Sequence, residues 1–203
     1  MTLLAVIRHG PTEWNESGVV QGHSDIPLSP NGRDSVAAWA TPHDLGSFDW
    51  VASPLKRAQE TALILSGQPA RADDRLIEMN WAEWEGMRLP ELRAELGDLM
   101  KAWEADGLDF RAPGGESPRD VQNRLKPFLA ECARDQKNTV AVCHKGVLRA
   151  LYALSVGWDM TDKAPEKLHD ECVHYFHLDG GGAPHPHLLN HPMTESPSAY
   201  GGS

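Results

Sequence analysis

The chain of 203 residues is long enough to bury one substantial core, and its 40% hydrophobic and 24% charged content fit a folded globular protein. Nineteen basic against 29 acidic residues leave a net charge of −10. That balance argues against nucleic acid or an anionic membrane surface as the main partner, because either needs a basic face. Cys132, Cys143 and Cys172 are odd in number, widely spaced and without a CxxC pair, which argues against a disulfide framework and suits a reducing cytoplasm.

Leu3-Leu4-Ala5-Val6-Ile7 is a continuous apolar run cut off by Arg8 and His9. It reads as a strand buried on both faces and is too short for a secretory h-region or a membrane span. Residues 10–28 have the Gly, Pro, Asn and Ser content of a long loop. Ser29 as N-cap and Pro30 at the first helical position predict a helix to about Ala40. Trp50-Val51-Ala52 reads as a short strand, Ser53-Pro54 opens a helix to Leu65, and residues 70–72 carry a weak strand signal. From 79 to 116 the texture changes: Trp81, Trp84 and Trp103 gather here, helices are predicted over 89–96 and 98–105, and Pro113-Gly114-Gly115 closes the stretch.

Val121, Leu125, Phe128, Leu129 and Cys132 then mark an amphipathic helix within 117–136. A strand over Thr139–Cys143, a helix over Lys145–Val156 and a strand over Cys172–Leu178 follow, and 192–203 reads as a frayed tail. This alternation predicts an α/β fold: a three-layer α/β/α sandwich with a mostly parallel central sheet. The whole chain, 1–203, reads as one domain, with 79–116 a helical insertion over the active-site end. In such sheets ligands bind beyond the carboxyl ends of the strands, and His9 and His144 each follow a strand directly.

Arg8-His9-Gly10-Pro11-Thr12-Glu13-Trp14-Asn15 resembles the RHG-x-T-x-W-N signature of the histidine phosphatase superfamily, the phosphoglycerate mutase-like family. Further stretches resemble that family in the right order. They are Gln21-Gly22 through Leu28, Ser53-Pro54-Leu55 through Ala62, Glu78 through Gly86, Pro113 through Ser117, and His144 through Arg149. A lone RHG is weak evidence; ordered motifs over residues 3–150 are strong. The resemblance implies a cytoplasmic phosphatase that moves a phosphoryl group from a small phosphorylated metabolite onto His9 and then to water. It implies no cofactor and no metal, no nucleic-acid or membrane partner, and a monomer or homodimer.

The chemistry suits the residues. A phosphoryl group in flight spreads charge over three oxygens, so catalysis is mostly positioning and cationic stabilisation. His9 is the candidate nucleophile, with its other ring nitrogen donating to a backbone carbonyl. Arg8 and Arg57 would fork onto phosphate oxygens, and His144 would add a donor at a helix start. The resemblance places Asn15 on the phosphate too, with Gln21 and Gly22 at the phosphate or substrate, while Lys145, where the family commonly has glycine, would stand at the pocket rim against the substrate. It makes Glu78 the acid that protonates the leaving oxygen. Burial would raise the pKa of Glu78 and the cations would lower it.

Glu83 or Glu85 could take the acid's role instead. Glu13, Asp25, Arg75 and Arg149 read as salt-bridge or capping residues, and the tryptophans as packing, with Trp81 and Trp84 open to lining the mouth. His169, His174, His177, His185, His187 and His191 lack the spacing of a zinc helix and read as surface or strand residues. Cys143, Lys145, Ala82 and Val19 depart from the family pattern around the pocket. A mutase acting between hydroxyls, or a non-catalytic phospholigand-binding module, are the alternatives. The chain is compact beside the family's cofactor-dependent mutases, which favours the phosphatase.

Overall fold

The computed structural model describes residues 2–193. Strand β1 (Thr2–Arg8) leads through a short helix α1 (Glu13–Glu16) to α2 (Pro30–Ala37). Then come β2 (Asp49–Ala52), α3 (Lys56–Ser66) and β3 (Arg71–Ala72). Helices α4 (Leu89–Leu96) and α5 (Asp98–Glu104) precede the long α6 (Pro118–Asp135). The chain continues through β4 (Thr139–Cys143), α7 (Lys145–Val156), β5 (Cys172–Leu178) and β6 (Pro184–Pro192).

The strands form one six-stranded sheet in the order β3-β2-β4-β1-β5-β6. The first four run parallel, and β5 and β6 are antiparallel. Alternation along β1 separates two cores. Leu4 and Val6 face one side with α6 and α7, while Ala5 and Ile7 face the other with Val36 of α2 and with Ala58 and Ala62 of α3. The result is the expected three-layer arrangement with a mostly parallel sheet. Segment 79–116 keeps a small core of its own around Trp84, Leu92, Met100 and Ala112. It is tied to the loop after β1, because Val20 N donates to Met87 O (2.8 Å) and Gly86 N to Val20 O (3.0 Å).

The caps explain the boundaries. Ser29 accepts from Gly32 N at the start of α2, and Ser117 with Asp120 forms a capping box on α6. Thr12 and Asn15 form another on α1, inside the stretch expected to be loop. Four residues carry too little hydrophobic period to be seen. Strand β6 was also unforeseen. Pro184, Pro186 and Pro192 argue against a central strand, and at the sheet edge a missing N–H costs no ladder bond. It carries His185, His187 and His191, while His174 and His177 lie on β5. The tail does not fray from 192: Pro192 ends β6, and Met193 is fully buried with its N–H donating to Glu171 O (3.0 Å). The remainder of the expected tail lies outside the described residues.

Gly32 shows how the second layer holds the loop after β1. A Cβ there would run into the backbone carbonyl of Pro11, two residues beyond His9. Gly32→Ala is expected to lower stability by about 1–3 kcal/mol through overpacking. Because the carbonyl belongs to the loop that carries His9, activity should fall in the residual folded protein as well. Urea unfolding read beside kcat checks both.

Candidate active site

β1 and β4 pair in parallel with Arg8 opposite Cys143, so the residues that follow each strand emerge side by side. His9 N donates to Cys143 O (2.9 Å), extending the ladder by one step. The rings of His9 and His144 consequently lie with centroids 5.0 Å apart. His9 Nδ1 is 2.6 Å from Gly10 O. A carbonyl only accepts, so the proton sits on Nδ1 and the lone pair on Nε2. Burial, and then the Arg8 and Arg57 charges, hold the His9 pKa well below the ordinary histidine value. The ring is therefore neutral near pH 7 and able to attack phosphorus.

Arg57, in the first turn of α3, is fully buried. Its Nε faces His144 Nδ1 (3.2 Å), Nη1 donates to Ser24 O (2.9 Å) and Nη2 to Gly22 O (2.7 Å). With the Gln21 amide oriented to satisfy both ends, its oxygen accepts from Arg57 Nε (2.9 Å) and Nη1 (3.0 Å) while its nitrogen donates to Thr12 Oγ1 (2.7 Å). Four of the five guanidinium N–H groups are thus engaged by protein, and one on Nη2 remains for an anion. Desolvation pulls the Arg57 pKa down to about 10. Because Nδ1 of His144 faces a donor, the His144 proton belongs on Nε2. That nitrogen is buried and has no hydrogen-bond partner among the described residues. Burial, followed by His9 and then the neighbouring arginines, holds the His144 pKa well below the ordinary histidine value.

Arg8 lies beside the same centre. Its Nη1 pairs with Asp170 (2.6 Å), and its Nε is buried without a partner. Asn15 Oδ1 accepts from Thr12 N (3.2 Å), which leaves the amide nitrogen as its free donor at the cavity. Gly22 contributes its carbonyl to Arg57, and a side chain there would collide with Glu85 and the Met79 carbonyl. Lys145 opens α7 and is exposed at the rim.

Glu78 is buried against the start of α7: Oε2 accepts from Gly146 N (3.1 Å) and Oε1 from Met79 N (2.7 Å). A Cβ at 146 would strike this carboxyl, so glycine is required for the contact. Desolvation raises the Glu78 pKa above the ordinary glutamate value, against the pull of the two amides and of Arg57 and Arg8. Its backbone carbonyl accepts from Arg124 Nη2 (3.2 Å) and lies 2.8 Å from His23 Nε2. Glu85 has a different task. It accepts from His23 N, Ser24 N and Ser24 Oγ, clipping the 21–25 loop to the insertion, and these bonds lower its pKa. Glu83 is exposed.

A cavity of about 440 Å³ opens over this centre, bordered by Arg8, His9, Asn15, Glu78, Lys145 and Arg149. The insertion supplies Trp81 and Phe110 as its apolar wall, whereas Trp84 is buried in the insertion's own core. Asp25, as expected, is local: it accepts from Lys56 N (2.7 Å) at the start of α3. Arg75 pairs with Asp73 and Glu131. Arg149, expected in a salt bridge or cap, instead places its guanidinium over the Trp158 ring, 5.5 Å from the centroid. Ala82, where the family often has glycine, adopts φ 44°, the left-handed conformation that glycine takes without strain.

Sequence reasoning missed Asp170, the residue that holds Arg8. It stands two residues before β5, outside the region of motif resemblance. The available signal was topological: β5 runs antiparallel to β1 with Val173 opposite Ile7, so its beginning must lie beside Arg8.

Arg8 and His9 border this cavity, with His144 packed against the His9 ring, on a three-layer α/β sandwich. The chain belongs to the histidine phosphatase superfamily (branch 1), which it matches over residues 4–191. It is 35% identical to the glucosyl-3-phosphoglycerate phosphatase of Mycolicibacterium vanbaalenii, over 76% of this chain and 74% of that one. It is 32% identical to phosphoserine phosphatase 1 of Hydrogenobacter thermophilus over 79% of each. A mycobacterial glucosyl-3-phosphoglycerate phosphatase solved with VO3 superposes with a TM-score of 0.78 at 28% identity, covering 94% of this chain and all of the other.

Glu78→Gln is expected to reduce kcat on alkyl phosphates at least tenfold more than on aryl phosphates, whose leaving oxygen needs no proton. The kcat/KM profile of the unaltered protein should have an acid limb below the ordinary histidine pKa, where His9 protonates. Its alkaline limb should lie above the ordinary glutamate pKa, where Glu78 ionises. Equal losses on both ester types would show Glu78 to be structural.

Proposed function

We propose that this protein hydrolyses small phosphomonoesters through a phosphohistidine on His9. The observation that carries the reading is the fixed tautomer of His9, with Nδ1 tied to Gly10 O and Nε2 free beside the buried, unpartnered His144 Nε2. His9 Nε2 attacks phosphorus and forms the P–N bond as the P–O bond to the alcohol breaks. The leaving oxygen takes the proton of Glu78. The resulting carboxylate then removes a proton from water, which attacks phosphorus, breaks the P–N bond and returns the lone pair to His9. Charge on the equatorial oxygens is met by His144 Nε2–H, the free N–H groups of Arg8 and Arg57, and the Asn15 amide.

The phosphatase names of the relatives support water as the acceptor. None of the described helices is long and apolar enough to cross a membrane. That agrees with a small dissolved substrate, and we place the enzyme in the cytoplasm on the further ground of its three free cysteines.

His9→Ala should abolish turnover, by at least 10³-fold, while leaving the circular dichroism and melting profile of the fold in place. Labelled phosphate should appear in the unaltered enzyme as an acid-labile, alkali-stable adduct after a quench that avoids acid, and vanadate should inhibit. Residual activity within tenfold of normal in the variant, or label on serine, would overturn the mechanism.

A further inference from the structure

On a chain with ten more acidic than basic residues, an arginine without an acidic partner is unusual, although among the described residues Lys126, Lys163 and Lys167 also lack one. Every arginine among the described residues except Arg57 and Arg149 has a carboxylate within 4.0 Å. Arg57 serves the phosphate centre. Arg149 lies one helical turn after Lys145 on α7, and both border the cavity over His9. Lys145 has no ion pair either; the acid whose charge it feels, Asp170, is taken by Arg8 at 2.6 Å. The other acid at this end of the cavity, Glu104, is held by Arg93 at 2.7 Å. Partial burial lowers the Arg149 pKa, and no carboxylate opposes that effect.

Two like charges spaced i, i+4 repel, and a cation in the first turn of a helix opposes the macrodipole. Both arrangements cost stability unless an anion joins them. Their place in the site says which part of a substrate that anion belongs to. Gly146, between them, donates its N–H to Glu78, the group that protonates the leaving oxygen. Lys145 and Arg149 therefore flank the alcohol side of the ester rather than the transferred phosphate.

We propose that the enzyme's substrates are phosphomonoesters whose alcohol carries a second anionic group, a carboxylate or a further phosphate, held between Lys145 and Arg149. This rests on the phosphatase reading and on Glu78 as the acid. The bound anion removes the repulsion between the two cations, and the carbon chain linking it to the ester packs along Trp81, Phe110 and Met160.

The test compares kcat/KM on 3-phosphoglycerate, on propane-1,3-diol bisphosphate and on glycerol 3-phosphate, whose alcohol is uncharged. The unaltered enzyme should prefer at least one of the two charged substrates over glycerol 3-phosphate by tenfold or more. Whether the carboxylate or the bisphosphate shows the larger preference identifies the anion. In Arg149→Gln and, separately, Lys145→Gln that ratio should fall at least fivefold, whereas Arg149→Lys should keep most of it. A ratio taken within one protein cancels any general loss of folded enzyme. A ratio near one in the unaltered enzyme, or one unmoved by both glutamine variants, overturns the second-anion proposal and leaves the phosphatase reading standing. Failure to hydrolyse any of the three, and p-nitrophenyl phosphate as well, overturns the phosphatase reading itself.

Discussion

The parallel pairing of β1 with β4 is the constraint on which the site depends. Its register puts Arg8 opposite Cys143, and the one further bond from His9 N to Cys143 O brings two imidazoles together at the carboxyl end of the sheet. Both strands are buried between helical layers, so neither can slip by a residue without turning its apolar set to the wrong core. Histidines on loops would need their geometry fixed piece by piece. Here the ladder fixes most of it, and the hydrogen bond from Nδ1 to Gly10 O fixes the remaining tautomer.

Arg57 supplies the second ordering influence. A buried guanidinium costs several kcal/mol unless its N–H groups are met. Here the carbonyls of Gly22 and Ser24, the Gln21 amide and His144 Nδ1 meet four of them. The same bonds pin the 21–25 loop over the strand ends and choose the His144 tautomer that carries its proton on Nε2. One cation thereby organises a loop and a tautomer. Glu85 clips that loop from the opposite side, which couples the insertion to the centre it covers.

The histidines and the glutamate are driven in complementary directions by one cause. Desolvation disfavours a charged imidazolium and equally a charged carboxylate, so His9 and His144 stay neutral while Glu78 holds its proton more tightly. A neutral nucleophile and a protonated acid are the pair that cleavage of an alkyl phosphate needs. The burial that produces both comes from the insertion and from α7 closing around Glu78 and His9.

Periodicity and punctuation in the sequence determined the alternation of strands and helices, and ordered motifs picked out His9, Arg57, Glu78 and His144, which the fold brings to one end of the sheet. Those signals are local: a buried strand is a short apolar run, and a helix start is a Ser-Pro cap. They failed where the physics is not local. Strand β6 is stable only because its prolines fall on a free edge, and α1 only because its cap also joins the Asn15 amide to Thr12. The three nearby glutamates Glu78, Glu83 and Glu85 look alike in sequence and differ only in burial and partners, which the fold alone supplies. Asp170 against Arg8 follows from which strand lies beside which, and Arg149 over Trp158, with no acid partner among the described residues, follows from how α7 packs. Spacing along the chain names the groups that can do the chemistry; only the packed sheet decides their distances, their exposure to water and therefore their charge.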